Sequence, residues 1–188
     1  TDDGYYMLTM ARNLAMGLGI SVSNGEILTN GTQPLTTFIW SLCYWLADND
    51  KTNGLIAIHL FQVFCASLST YLIYILSRRL LPSHPQRLLI GLWVAALWFS
   101  AEGSESHTMN ALETGPLVLT VLVFFYQYLW VISLPATRQT YKHWVGLGIT
   151  LGVLFWVRND AAFFAVVLAA TRLLLMPGET SRPAKRIL

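Results

Sequence analysis

Two adjacent carboxylates, Asp2 and Asp3, stand in a polar segment that continues with Gly4, Tyr5 and Tyr6. At the start of a helix, one member of such a pair can accept a proton from an attacking hydroxyl, or the pair can bind a cation. Aspartate is also among the best helix N-cap residues, so capping explains the same pattern. Asp2 and Asp3 are therefore candidate catalytic and metal-binding residues, with helix capping as the alternative.

Charged residues also stand where apolar runs begin or end. Glu113 directly precedes a long apolar run, and a carboxylate there is costly unless it is paired or hydrated. The alternative is a helix-start acid that the helix dipole favours, with Pro116 in the first turn. Arg158 ends another apolar run, and its guanidinium can hold a phosphate through two parallel hydrogen bonds. The competing explanation is an Arg158–Asp160 pair that satisfies itself at a tight turn.

Two polar residues in connecting segments complete the candidates. Gln33 lies in a turn-rich stretch and can hydrogen-bond a substrate, although a plain loop-to-helix junction explains it as well. His107 stands shortly before Glu113 and can join a metal site. The sequence contains no P-loop, no dinucleotide glycine fingerprint and no zinc-protease motif.

The composition is that of a membrane protein. Hydrophobic residues make up 54% of the 188 residues and charged residues only 12%, against about 25% charged in soluble domains. The mean hydropathy of +0.50 agrees. A net charge of +2 without a basic run argues against nucleic-acid binding.

Five apolar runs are predicted to span a membrane as helices. The first and third have the roughly 20 residues that a span needs, and the others are shorter. A sixth run, at residues 35–47, is short and rich in Thr, Trp and Tyr, and is predicted to lie along the outer interface. The five predicted spans cover residues 54–76, 88–101, 115–134, 144–157 and 161–176.

The charges predict which loops face which side. Most basic residues stand in the loops at 77–87, 135–143 and 172–186, whereas every acidic residue except Glu179 stands in the opposite loops. The positive-inside rule then places the basic loops in the cytoplasm and the acidic loops outside.

These assignments divide the chain into three parts. Residues 1–53 form an outward loop that carries juxtamembrane amphipathic helices, the first over residues 2–19. Residues 54–176 form the five-span bundle, and residues 177–188 form a basic cytoplasmic segment. The predicted fold is an all-α, polytopic membrane bundle, and we expect the sequence to be a piece of a longer chain.

Four segments together resemble the GT-C superfamily of membrane glycosyltransferases, which take a sugar from a polyprenyl phosphate. Protein O-mannosyltransferases and aminoarabinose transferases are relatives. In that family an outward loop opens on two acids and returns through a Pro-Leu element, a later helix begins at an acid, and a Lys or Arg follows a further span. Gln33 stands where some relatives carry His or Lys. The matching segments are residues 2–19, 29–35, 112–115 and 158–160.

The resemblance implies an N-terminal fragment that lacks the family's first span. It implies inverting transfer of a sugar to a lipid, glycan or protein acceptor at the outer or lumenal face, with the bacterial inner membrane as the expected location. Asp2 and Asp3 are then catalytic and can hold a divalent cation, while Arg158 and Gln33 bind the donor phosphate. The supporting residues are Glu113, Asp160, Tyr6 and His107.

A polytopic transporter or flippase without catalytic chemistry is the alternative. Transporter sites gather near the membrane midplane on discontinuous helices, whereas these candidates stand at the outer ends of predicted spans. In a purely structural subunit, Asp3, Glu113 and Arg158 would not converge.

Overall fold

The computed structural model describes residues 2–29, 33–161, 163, 164 and 167. Within that part the chain is all-α, as predicted, and its β pairing is limited to one isolated bridge between Ser21 and Leu28. The helices are α1 Asp2–Ala15, α2 Pro34–Leu46, α3 Lys51–Leu80, α4 Arg87–Ser100, α5 Glu102–Thr108, α6 Thr114–Ser133 and α7 Tyr141–Val157.

Helix α1 is shorter than the helix predicted over residues 2–19, because the backbone becomes left-handed at Gly17. Its φ is +78°, in a region that glycine adopts without strain. The amide of Leu18 then donates to the carbonyl of Asn13 and closes the end of the helix. The amphipathic pattern predicts one apolar face made of Met7, Met10, Ala11 and Leu14; the first three are buried and Leu14 is half-buried.

A tight corner joins α2 to α3. Pro34 begins α2, where its missing amide hydrogen has no helical partner to lose. Asp48 and Asn49 adopt φ of +51° and +60°, which reverses the chain within a few residues. The Asp50 carboxylate then accepts a hydrogen bond from the amide of Asn53 at 2.8 Å and caps α3. Helix α2 therefore packs against both α1 and α3.

Contacts between helices give the direction of each one. The start of α6 packs beside Cys65 in the middle of α3, and the Arg79 guanidinium near the end of α3 lies over the Tyr126 ring in α6. Helices α3 and α6 are therefore parallel. Helix α7 returns antiparallel to α6, with the Thr150 hydroxyl donating to Gln127 Oε1 at 2.8 Å. The start of α6 and the end of α7 consequently lie at the same end of the bundle.

Helices α3 and α4 form an antiparallel hairpin. Pro82 and Pro85 stand in the turn between them, where neither could continue a helix. Gly91 lets the two backbones approach closely, since a methyl group there would lie only 3.1 Å from the Tyr74 ring. The end of α4 is thereby returned to the end of the bundle where α3 begins.

The surfaces of the helices are apolar, and several polar side chains are buried. Helix α2 buries Thr36, Thr37 and Ser41 but exposes Phe38, Leu42 and Trp45. Helix α3 buries Gln62 completely and exposes a row of large apolar residues. Helices with apolar side chains on most of their circumference suit either a membrane or the interior of a larger protein.

The predicted spans are recovered as helices to different extents. Those at 54–76, 88–101, 115–134 and 144–157 coincide with α3, α4, α6 and α7. Among the described residues, α3 and α6 are long and apolar enough to cross a membrane, and α4 is apolar but shorter. Of the fifth, at 161–176, only Ala161, Phe163, Phe164 and Val167 are described, and the predicted cytoplasmic segment at 177–188 lies outside the described residues.

Candidate active site

Glu113 and Arg158, distant in the chain, meet where α6 begins and α7 ends. Arg158 Nη1 lies 3.5 Å from Glu113 Oε1. Arg158 Nε donates to both carboxylate oxygens of Asp160, at 2.8 Å and 3.0 Å. The arginine therefore contacts one carboxylate from the start of α6 and another from its own turn, and three of the predicted site residues converge.

The two contacts of Arg158 differ in their exposure to water. The Glu113 side chain is 10% exposed, whereas those of Arg158 and Asp160 are 41% and 57% exposed. Solvent screens the Arg158–Asp160 pair, which is the self-satisfied pair at a turn that the sequence allows. Glu113 precedes α6 but its side chain forms no capping hydrogen bond, so within the described part Arg158 is its charged partner. Its position at the start of α6 still agrees with the alternative of an acid that the helix dipole favours.

The net charge and the free hydrogen-bond donors of this cluster determine which groups it can bind. Two carboxylates against one guanidinium leave a formal charge of −1. The contacts engage Nε and Nη1, and Nη2 has no acceptor among the described residues. A guanidinium carries five N–H donors in a fixed fork, so the second N–H of Nη1 and the two of Nη2 are the donors that Arg158 has left for a phosphate or hydroxyl.

Glu113 is positioned by a strained backbone segment. Ala111 has φ of +61°, a left-handed conformation that costs a non-glycine residue about 1–2 kcal/mol. Two hydrogen bonds hold it: the Trp40 indole N–H donates to the Ala111 carbonyl at 2.9 Å, and the Leu112 amide donates to Asn110 Oδ1 at 3.0 Å. Strain of this kind persists only where the surroundings enforce it, and it concentrates at functional sites.

Helix α1 lies beside this strained segment. Met7 and Ala11 belong to the same buried cluster as Trp40 and Ala111. The helix is tied to the α2–α3 corner by Arg12, whose Nε donates to the carbonyl of Asn49 at 2.9 Å. Helix α1 and the α2–α3 corner are thus packed at the end of the bundle where Glu113 lies.

Burial also affects a titrating group in this region. It raises the pKa of the Tyr44 hydroxyl above its usual value, and the positive charge of Arg12 offsets part of that rise. Tyr44 therefore remains protonated at neutral pH.

Asp2 and Asp3 form the first turn of α1. They precede Met7 by a little more than one helical turn, which is about 6–8 Å along the axis. Their side chains lie outside the described part of the structure, so their catalytic and metal-binding roles remain predictions. Their backbone is nevertheless held near the Glu113 segment by the packing of Met7.

The other predicted residues have different surroundings. Gln33 is the N-cap residue of α2 but makes no capping hydrogen bond, and its Oε1 is buried without a partner among the described residues. A carbonyl oxygen accepts hydrogen bonds, so this atom suits a sugar hydroxyl better than the predicted phosphate.

Tyr6 is 42% exposed. His107 is exposed near the end of α5, and its side chain makes no hydrogen bond or ion pair in the described part.

The described part of the chain contains no complete set of ligands for a metal cation. No group of three or more His, Cys, Asp or Glu side chains converges there. The predicted ligands Asp2 and Asp3 are outside the described side chains, so a cation site stays a prediction.

Sequence reasoning did not identify Trp40 or Ala111 as part of the site. Trp40 stands in a run whose aromatic content indicates only an interfacial helix, and alanine carries no local signal for positive φ. A comparison of the chain with protein-family models, with curated proteins and with solved structures finds no match.

Proposed function

We propose that the chain is part of a membrane glycosyltransferase of the GT-C type, which transfers a sugar from a polyprenyl phosphate to an acceptor at the outer face. The observation that carries the proposal is the meeting of Glu113 with Arg158, beside a helix that begins with Asp2 and Asp3. The described parts of three segments of the family resemblance, at 2–19, 112–115 and 158–160, thus lie at one end of the bundle, which supports the proposal.

The distribution of apolar side chains supports a polytopic membrane bundle. Phe38, Leu42 and Trp45 follow one another at helical spacing on the exposed side of α2, which suits a helix lying in the interface. Exposed apolar rows on α3 and α4 suit contact with lipid tails. The acidic cluster lies at the end of the bundle opposite Arg78 and Arg79, which supports an outward-facing site under the positive-inside rule.

In the proposed mechanism, the acids of α1 act on the acceptor and Arg158 acts on the donor phosphate. Ionised carboxylates have no hydrogen to donate, so Asp2 and Asp3 act on the acceptor, where one of them takes the proton of the attacking hydroxyl or amine. The acceptor attacks the anomeric carbon from the face opposite the phosphate, and the sugar–phosphate bond breaks with inversion. Arg158 stabilises the departing lipid phosphate through its remaining N–H donors, while Glu113 and Asp160 orient its guanidinium.

The test compares donor binding with turnover in the full-length protein. Undecaprenyl phosphate is the binding probe, and its release from a panel of undecaprenyl-phosphate-linked sugars measures the rate. Asp2→Asn or Asp3→Asn should lower the rate by about 10²–10⁴-fold and leave binding of the probe nearly unchanged. Arg158→Ala should weaken that binding by about tenfold or more, because a charge-assisted contact is removed.

Matched controls carry the same chemical changes elsewhere. Asp48→Asn is a control for the acids, since Asp48 is exposed on the same side and asparagine tolerates its positive φ. Arg138→Ala is a control for the arginine, since Arg138 is exposed at the opposite end. Normal binding by Arg158→Ala together with full rates in both Asp variants would contradict the enzyme proposal and favour the transporter alternative.

A further inference from the structure

A pocket lies at the end of the bundle opposite Glu113 and Arg158, where α3 turns into α4. Its volume is about 460 Å³, within the range of about 300–1,000 Å³ that is usual for ligand pockets. Three of its lining residues are arginines, two are tyrosines, and all come from the second half of α3, the turn or the start of α4. They are Tyr71, Tyr74, Ile75, Arg78, Arg79, Pro82 and Arg87.

The positive charge of this pocket is not neutralised within the described structure. The sequence contains no Asp or Glu between Asp50 and Glu102, and none of the three arginines forms an ion pair with a described carboxylate. Arg78 Nη1 donates to the Tyr74 hydroxyl, and Arg87 Nη1 donates to the carbonyl of Pro82. Three cations held together in this way favour an anionic ligand.

The hydrogen bonds of Arg78 are incomplete in a way that points to a ligand. Its Nε is buried and has no acceptor among the described residues. Its guanidinium lies 5.1 Å from the centre of the Tyr74 ring, which restrains the side chain. Since this Nε is closed to solvent, the donors that a phosphate oxygen can reach are those of Nη2, which also has no acceptor among the described residues and can form charge-assisted hydrogen bonds.

The position of the pocket favours a lipid over a soluble anion. Arg79 also lies over the Tyr126 ring, about two turns before α6 ends at Ser133, so this arginine contacts the side of α6 and not the loop beyond its end. Tyr71 and Ile75 continue the lining along α3 away from the arginines. The surface thus has a cationic part beside an aromatic and apolar part, as a phospholipid headgroup and the start of its acyl chains require.

We propose that this pocket binds the phosphate of an anionic phospholipid in the cytoplasmic leaflet. Basic pockets between helices on the cytoplasmic side are a recognised means of holding such headgroups. The proposal rests on the membrane orientation proposed above but not on sugar transfer, so the two can fail separately.

The test measures lipid binding by the full-length protein in detergent micelles, without any sugar donor. Short-chain phosphatidylglycerol is the probe, phosphatidylcholine of the same chain length is the neutral control, and the thermal midpoint of unfolding is followed against lipid concentration. Phosphatidylglycerol should stabilise the protein at concentrations where phosphatidylcholine does not. Replacing two arginines, as Arg79→Gln with Arg87→Gln, should weaken binding by about 25-fold, since each cation near a lipid surface contributes about fivefold.

Two further variants keep the result interpretable. Arg79→Lys with Arg87→Lys retains the charge and should keep most of the affinity, which separates loss of binding from loss of fold. Arg138→Gln with Lys142→Gln removes the same charge from the neighbouring loop and should bind phosphatidylglycerol normally. An equal loss in this control, equal stabilisation by phosphatidylcholine, or competition by inorganic phosphate at the same concentration would each overturn the assignment to a phospholipid.

Discussion

Removal of the Arg158 guanidinium should destabilise the protein mainly through Glu113 and not through Asp160. The Asp160 contact is shorter, but both of its members are substantially exposed, so we expect it to contribute less than about 1 kcal/mol. The Glu113 carboxylate is only 10% exposed, and its 3.5 Å contact with Arg158 is its charged interaction in the described part. Loss of the partner leaves a largely buried charge without compensation.

The coupling energy between Glu113 and Arg158 lies between the values for a fully buried and a fully exposed ion pair. Two unit charges 3.5 Å apart attract by about 5 kcal/mol at an effective dielectric constant of about 20, before desolvation is subtracted. Breaking a fully buried pair costs about 3–5 kcal/mol, and an exposed pair contributes less than about 1 kcal/mol. Since Arg158 is 41% exposed, we expect a coupling energy of about 1–2 kcal/mol between Glu113 and Arg158.

A double-mutant cycle measures this coupling. Arg158→Ala should lower the free energy of unfolding by about 2 kcal/mol, Glu113→Gln by about 1 kcal/mol, and the double variant by about 1.5 kcal/mol, because the unpaired charge is gone. The free energies come from denaturant titrations in mixed micelles. A parallel cycle with Asp160→Asn should give the smaller coupling. Additive effects in the Glu113 cycle, or a larger coupling to Asp160, would refute the reasoning from burial.

Two other predictions concern packing and topology. Gly54→Ala should lower the thermal midpoint of unfolding, at a cost of about 1–3 kcal/mol, because the new methyl group overlaps the Tyr44 ring. Gly103→Ala is the control, since no described atom lies within 4 Å of its Cβ position. Equal stability of the two variants would contradict the packing of α2 against α3. The topology is tested in a variant whose two native cysteines are replaced by serine. In this background, Glu26→Cys should react with an impermeant maleimide from outside intact cells, whereas Ser83→Cys should react only after permeabilisation. The same accessibility at both positions would contradict the proposed orientation.

The helices were largely predictable from the sequence because their signals are local. An apolar run at residues 54–76 indicates the core of α3 whatever surrounds it, and the spacing of Met7, Met10 and Ala11 indicates the buried face of α1. Candidate site residues were also visible one by one, because a carboxylate or guanidinium beside an apolar run is unusual in itself. For Glu113, Arg158 and Asp160 these local signals point to residues that do converge.

Only the tertiary structure decided how these residues are held. The Trp40 indole reaches the Ala111 carbonyl across 71 residues of sequence, and no pattern near either residue encodes that contact. The positive φ of Ala111 follows from the same packing, since alanine alone prefers the right-handed region. Whether Arg158 pairs only with Asp160 or also reaches Glu113 depends on the antiparallel packing of α6 and α7. Local propensity determines which segments become helices, whereas contacts between distant segments determine which side chains meet.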